Sequence, residues 1–247
     1  MALKYREDPN LEFLRGAHHE DLAVLATYLT LDDKKEKRYL QELLDDPLFR
    51  ASQADYSKAW KSIAAELQKF GGDSAANLFR GHGVLYREIL DDVSDRIGVK
   101  GTKEEDILKR EDQLLACILE KFFANASKKE CDELLQAASD EIGRVKNLTK
   151  DQLLSLVGTD FRVSLLISSA LATAMQRIMI PAAIGAAAEI VGLRLVGAFI
   201  PVLALPMLGA WLLTYLSGPA YRVTVPSVVQ VCYMRREALA DHFGETK

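Results

Sequence analysis

Cysteine is scarce in this chain. Its 247 residues include only three, Cys117, Cys131 and Cys232, and no two of them lie close together in the sequence. An odd number of widely spaced cysteines argues against a disulfide framework and against a zinc ribbon, so we interpret all three as buried thiols. The four histidines show no metal-ligand spacing with them, and we predict neither a metal nor a cofactor.

Motifs of catalysis are also lacking. Gly71, Gly72, Gly81 and Gly83 are not followed by the Gly-x-x-x-x-Gly-Lys pattern of a phosphate-binding loop, and we interpret them as helix stops. The serines between residues 155 and 169 lack the strand-turn-helix context of a hydrolase nucleophile. We therefore predict a protein that is not an enzyme.

The chain has no excess of basic charge either. Its 31 Lys and Arg and 35 Asp and Glu give a net charge of -4. Residues 161–247 contain 7 basic and 4 acidic residues, which leaves 24 basic and 31 acidic residues, a net charge of -7, in the first 160. Because this part lacks the concentrated basic surface of a phosphate-binding protein, we predict no nucleic-acid partner.

What the first 160 residues do have is helical periodicity, with apolar residues three and four positions apart. Strand-like alternation is missing. The predicted helical stripes are Leu22, Leu25, Ala26 and Leu29; Tyr39, Leu40, Leu43 and Leu44; Tyr56, Trp60, Ile63, Ala64 and Leu67; Tyr86, Leu90, Val93 and Ile97; and Ile107, Leu114, Leu115, Ile118, Leu119 and Phe122. Capping boxes mark three helix starts, at Thr102 with Glu105, Ser127 with Glu130, and Thr149 with Gln152.

Beyond Thr159 the pattern becomes apolar on all sides. Residues 195–221 contain no charge over 27 positions, whereas about 20 apolar residues cross a bilayer. Pro201 and Pro206 favour the opposite interpretation, a buried soluble core, because each removes a backbone hydrogen bond that lipid cannot replace. In the tail, Pro226 is predicted to open a last helix, which the following arginine pair returns to water.

These patterns predict an all-α protein, a multi-helix bundle followed by an apolar Gly/Ala-rich helical region. We divide it into an N-terminal helical segment at 1–50, an acidic amphipathic module at 51–158, and an apolar helical region with a short polar tail at 159–247. The start, MALKYREDPN, has charges from residue 4 and lacks an apolar stretch before a small-residue cleavage site, so we do not expect it to act as a secretory signal. We therefore expect a cytoplasmic location, associated with the inner membrane through the apolar region.

Two groups of polar residues between 71 and 95 are candidate sites. Asp91, Asp92 and Asp95 form an Asp-Asp-x-x-Asp pattern able to hold Mg²⁺ if a second acidic motif, such as Asp45-Asp46, faced it. We interpret them instead as a solvated acidic surface. The second group is a candidate docking surface for a protein partner, or simply capping and ion-pair chemistry, and consists of Asn77, Arg80, His82, Tyr86 and Arg87.

Charges are rare within the apolar region. Between Val163 and Met234 they are Arg177, Glu189, Arg194 and Arg222. An ionisable residue inside a membrane must find a partner or water, so Glu189 and Arg194 are functional candidates there. Arg222, after Gly218-Pro219, marks the end of the apolar run.

Three segments resemble the YaaW family of bacterial proteins. They are YREDPNLEFLRGAHHEDLAVLATYLT, FGGDSAANLFRGHGVLYREILDDVSDRIGV and SGPAYRVTVPSVVQVCYMR. The family is largely uncharacterised, and its middle region has been related to the ubiquinol-cytochrome c chaperone domain, a helical assembly-factor fold. The resemblance therefore implies binding rather than catalysis.

The leading prediction is a membrane-associated helical protein with a partner-binding module and an insertable hydrophobic hairpin. Its partners would be another protein and membrane lipid, with a homo-oligomer possible. Two alternatives stay open: a soluble chaperone-like assembly factor whose core is the apolar region, and a pore-forming effector. A Mg²⁺-dependent isoprenoid enzyme is a more distant third.

Overall fold

The computed structural model describes residues 3–32, 36–38, 41–71, 83–101, 106–143, 147–180 and 221–244. Within these ranges the chain forms α-helices and short 3-10 turns and no strand, which confirms the all-α class. The helices are α1 His19–Thr30, α2 Pro47–Ala51, α3 Trp60–Phe70, α4 Tyr86–Ile97, α5 Ile107–Asn125, α6 Lys128–Ile142, α7 Lys150–Leu156, α8 Phe161–Met179 and α9 Tyr221–Phe243. The 3-10 turns are Glu12–Gly16, Leu43–Asp45 and Tyr56–Ala59.

Four of the predicted stripes form helices whose apolar sides enter one core. They correspond to α1, α3, α4 and α5, and most of their stripe residues are fully buried. Gly98 ends α4 with a φ of 88°, a left-handed conformation that favours glycine. The three- and four-residue spacing therefore predicted these helices correctly because each presents one side to the same interior.

Two of the predicted capping boxes are confirmed. The Ser127 amide donates to Glu130 Oε2 at 2.8 Å, and the Thr149 amide donates to Gln152 Oε1 at 2.9 Å, at the starts of α6 and α7. The third box, at residues 102–105, lies outside the described residues. Helix α5 begins after it, with Asp106 as the N-cap that accepts from the Leu108 amide at 2.9 Å.

The helix predicted over residues 39–44 differs from what is observed. Residues 39 and 40 lie outside the described ranges, and the rest forms only the turn Leu43–Asp45. A new helix, α2, starts at Pro47 because the Asp46 side chain caps it, accepting from the Phe49 amide at 2.9 Å. Asp46 also accepts from the Ser62 hydroxyl at 2.9 Å, which ties this turn to α3.

The last described helix, α9, runs through the centre of the fold. Every residue from Val223 to Glu237 is buried, and the helix packs against α1, α3, α4, α8 and the turn Glu12–Gly16. Pro226 is the sixth residue of α9, so the prediction that it opens the helix was wrong. The core is continuous from Leu11 to Met234, and therefore crosses the boundary predicted at residue 158.

Helix α8 confirms that the first part of the apolar region predicted at 159–247 is helical, and it packs on α9. Among the described residues, no single helix has the length and apolar character needed to cross a membrane. Lys150–Leu156 and Phe161–Arg177 meet that requirement only as a pair, and they are bent by 105°. Residues 181–220, which include most of the uncharged stretch, lie outside the described ranges.

Candidate functional site

A buried group of charged and polar side chains joins α9 to α4 and α5. We call it the arginine cluster, and it consists of Tyr86, Glu111, Asp112, Cys232, Arg235 and Arg236. At its centre the Glu111 carboxylate is completely buried. It accepts hydrogen bonds from Arg235 Nε, Arg236 Nη1 and the Tyr86 hydroxyl, each at 2.9 Å.

Both guanidinium groups make further contacts. Arg236 Nη2 donates to Asp112 Oδ1 at 2.6 Å, and its Nη1 also donates to the Cys232 carbonyl at 2.8 Å. Arg235 donates to the Asn10 carbonyl at 2.6 Å and lies 4.4 Å above the Phe13 ring. The prediction that this arginine pair returns the tail to water was therefore wrong, because both side chains have acidic partners on α5.

The cluster holds a thiol and a phenol that stay protonated. The Tyr86 hydroxyl and Cys232 Sγ are 3.8 Å apart and fully buried. Burial, helped by the negative charge of Glu111, raises the pKa of both groups. Because the thiolate is the reactive form, Cys232 is an inert buried thiol. Cys117 and Cys131 are only half-buried, so the prediction of buried thiols holds fully for Cys232 alone.

A second buried ion pair corrects the interpretation of the acidic motif on α4. Arg110 is 1% exposed and its Nε lies 3.0 Å from Asp91 Oδ1, while Nη2 lies 3.6 Å from Asp95 Oδ1. Asp91 is only 7% exposed, so it is not a solvated acid as predicted. Asp92 and Asp95 are exposed.

The acidic residues suggested as the facing half of a Mg²⁺ site are engaged elsewhere. Asp45 binds Lys37 at 2.9 Å and Arg50 at 2.7 Å, and Asp46 caps α2. Across the part of the chain that the structure describes, no three His, Cys, Asp or Glu side chains are grouped to hold a metal ion.

Replacing Asp91 with Asn is expected to lower the free energy of unfolding by about 1–3 kcal/mol, because Arg110 would lose its buried anionic partner. Asp92→Asn, one position along the same helix and exposed, is the matched control and is expected to change it by less than about 0.5 kcal/mol. Urea denaturation of both variants measures the difference. Equal stabilities would contradict the importance of the Asp91–Arg110 pair.

A third buried polar group lies where α1 meets α9. Asp21 and Glu237 are 1% and 5% exposed, and burial together with the neighbouring Glu237 carboxyl raises the pKa of Asp21 well above its ordinary value. Gln230 Nε2 donates to Asp21 Oδ1 at 3.3 Å, and the Tyr233 hydroxyl donates to Glu237 Oε1 at 3.3 Å. We call these four side chains the α1–α9 carboxyl cluster.

A further buried acid, Glu66 on α3, stands apart from both groups. Its carboxylate accepts from the Glu42 amide at 3.1 and 3.2 Å. Burial raises the pKa of Glu66 to about 7, so at neutral pH this group is partly protonated.

The structure describes two of the five predicted docking residues, Tyr86 and Arg87. Asn77, Arg80 and His82 lie outside the described residues. Tyr86 is fully buried in the arginine cluster, so its assignment to a docking surface was wrong, because its hydroxyl is bound to Glu111. Arg87 is half-buried and is not part of that cluster.

Of the charges predicted to matter in the apolar region, only Arg222 lies in the described part of the chain. It is exposed near the start of α9, in agreement with a position where the apolar run ends. Glu189 and Arg194 lie outside the described residues.

Sequence reasoning missed Glu111, Asp21 and Glu237. A signal existed for the first two: Glu111 follows Ile107 by four positions and precedes Leu114 by three, so it lies in register with the apolar stripe of α5. Asp21 likewise precedes Leu25 by four positions on α1. An acid on an apolar stripe is expected to be paired. The partners, however, are more than 120 residues away in sequence.

These features define a class: an all-helical protein whose central helix, α9, is anchored by buried ion pairs. The chain belongs to the UPF0174 (YaaW) family. It is 36% identical over 244 residues to UPF0174 protein YaaW of Escherichia coli strain K12, covering 96% of this chain and 97% of that protein. It is 31% identical over 239 residues to a UPF0174 protein of Helicobacter pylori strain J99, covering 95% and 93% of the two chains.

The other comparisons agree with an uncharacterised family. A family model described as a domain of unknown function (DUF3944) matches residues 5–39. No solved structure matches the chain. The resemblance seen in the sequence is confirmed, and the names of the relatives state no activity.

Proposed function

We propose that the protein is a non-enzymatic, membrane-associated helical protein. In this proposal, the helices at residues 3–180 and 221–244 form a folded body at the cytoplasmic surface of the membrane. The uncharged stretch at 195–221 enters the bilayer. The body binds another protein.

The observation that carries the proposal is the uncharged stretch at 195–221, which directly precedes the buried part of α9. The burial of α9 from Val223 to Glu237 is matched by contacts with α1, α3, α4, α8 and the turn Glu12–Gly16. These are the helices that surround α9 within the part of the chain that the structure describes. The uncharged stretch at 195–221 has 27 residues, and about 20 apolar residues cross a bilayer, so it is long enough to enter one.

The charge at the end of the stretch supports the same proposal. Arg222 is the first charged residue after it and is exposed. Basic residues are enriched where a membrane segment returns to the cytoplasmic side. An exposed arginine at the start of α9 therefore suits the position at which the chain leaves the lipid.

The surface proposed to bind a partner lies near the start of α4. With Tyr86 buried, the candidates that remain are Asn77, Arg80, His82 and the half-buried Arg87. Arg87 lies next to Glu88, which is exposed and 3.7 Å from Arg6. A partner of mixed charge suits this edge of α4, and crosslinking through a cysteine introduced at Arg87 tests whether a protein binds there.

The full-length protein is expected to stay with the membrane fraction after an alkaline carbonate wash. The double variant Leu203→Arg and Leu212→Arg is expected to be released, because an arginine at the centre of a membrane helix costs about 2.5–3.5 kcal/mol. Leu48→Arg adds an arginine at an exposed position outside the stretch and is the control, expected to stay in the pellet. Immunoblotting of pellet and supernatant measures the distribution.

The same experiment separates the alternatives. Complete release of the wild-type protein would contradict membrane insertion and favour a soluble assembly factor with residues 195–221 in its core. Retention combined with leakage of dye from liposomes would instead favour the pore-forming effector.

A further inference from the structure

Two acids meet where α1 packs against α9. Asp21 and Glu237 come from positions 216 residues apart, and both are almost completely buried. Two carboxylates cannot both keep their negative charge at hydrogen-bond distance inside a protein, because burial and mutual repulsion both disfavour the second charge. A hydrogen bond between two carboxyl groups also needs one proton, since carboxylates only accept.

The contacts to this pair come mainly from neutral side chains. Gln230 and Tyr233 give neutral donors to the pair, and Gln176 of α8 lies 3.4 Å from Gln230. His18, before α1, is 3.8 Å from Glu237 and 3.4 Å from Asp241, and it is half-exposed.

Other charged groups lie on either side. Glu20 and Asp241 add negative charge. Arg235 lies on the opposite side of α9, between α4, α5 and the turn Glu12–Gly16. Its side chain binds Glu111 and the Asn10 carbonyl and lies above the Phe13 ring.

We propose that Asp21 and Glu237 share one proton and form a pH-sensitive latch between α1 and α9, which weakens as the pH rises. With the proton present, the two acids hold the helices together through a hydrogen bond. When the proton is lost, two negative charges remain in the same buried space. The seam between α1 and α9 then becomes the part of the core most sensitive to alkaline conditions.

The direction of the pH dependence follows from the pKa of each acid. Burial raises the pKa of Asp21 well above its ordinary value of 3.8 and raises the pKa of Glu237 above its ordinary value of 4.5. The folded state therefore binds more protons than the unfolded state above these ordinary values. Stability contributed by the pair is present at low pH and is lost as the pH rises through the raised pKa of the pair.

The test compares the full-length protein with the variant Asp21→Asn by urea denaturation between pH 5 and pH 8. For the wild type, release of the shared proton is expected to increase the unfolding equilibrium constant by up to about tenfold for each unit by which the pH rises. In Asp21→Asn this contribution is absent, because asparagine donates to Glu237 at every pH. Glu120→Gln on the exposed side of α5 is the matched control and is expected to keep the wild-type pH dependence.

A spectroscopic measurement keeps the proposal testable if Asp21→Asn does not fold. Infrared spectroscopy distinguishes a protonated carboxyl group from a carboxylate. Glu66 also carries a proton near pH 7, so the measurement uses Glu66→Gln as its background. A protonated carboxyl that remains at pH 7 in this background, and disappears on adding Glu237→Gln, supports the latch. Its absence, or identical pH dependence in the wild type and a folded Asp21→Asn, would overturn it.

Discussion

Replacing Glu111 with Ala is expected to lower the free energy of unfolding by about 3–5 kcal/mol, because it removes the shared acidic partner of two buried arginines. Arg236 would keep its ion pair with Asp112, and Arg235 would keep its hydrogen bond to the Asn10 carbonyl. The carbonyl carries no negative charge, so the charge of Arg235 would lose its acidic partner. A loss of this size is a large part of the about 5–15 kcal/mol by which a typical protein is stable. Urea denaturation followed by circular dichroism measures it.

Two further variants show whether the charge pairing is the cause. Glu120→Ala lies on the same helix at an exposed position and is expected to change stability by less than about 0.5 kcal/mol. Replacing Glu111, Arg235 and Arg236 together with Met is expected to recover most of the loss, because the three most deeply buried charges are removed together and Asp112, which loses Arg236, is in part exposed to solvent. If the triple variant is less stable than Glu111→Ala, the arginine cluster contributes more than charge neutralisation.

A fragment of residues 1–158 is expected not to unfold cooperatively, although it contains α1 to α7. Without α9 it lacks five buried valines, each of which contributes about 1.5–3 kcal/mol, and both basic partners of Glu111. The valines are Val223, Val225, Val228, Val229 and Val231. Thermal unfolding followed by circular dichroism and a fluorescent dye for exposed apolar surface is the measurement.

The matched control retains α8 and α9 and replaces residues 181–220 with a flexible Gly/Ser linker. This chain is expected to unfold cooperatively, because it keeps the described helices that pack against α9, namely α1, α3, α4 and α8. A cooperative transition in the fragment 1–158 would support the domain boundary predicted from the sequence. Failure of the linker variant alone would show that residues 181–220 contribute to the core.

The sequence predicted helices where an apolar stripe alone decides the structure. The stripe of α5, for example, needs only one buried side, and its spacing is a local property of the chain. The same reasoning failed for residues 39–44, where Asp46 and Pro47 start a new helix instead of ending an old one. An Asp-Pro pair is compatible both with the end of one helix and with the start of the next, and only its hydrogen-bond partners show which of the two is formed.

The buried charges were harder to predict for a different reason. Arg235 and Arg236 resemble residues that return a tail to water, and Asp91 resembles a solvated acid. Each is buried because a partner on another helix neutralises it: Glu111 and Asp112 for the arginines, and Arg110 for Asp91. Such pairs link positions 19 to 125 residues apart, and hydrophobic periodicity carries no information about them.

The central position of α9 has a consequence for how the protein is made. A ribosome synthesises α1, α3 and α4 well before α9, at about 5–20 residues per second. During that interval the sides of these helices that will contact α9 have no partner, and the apolar residues 195–221 emerge before the helix that completes the core. The nascent chain therefore exposes apolar surface before the helix that buries it has been made, and its folding is completed only after Glu237 has been added.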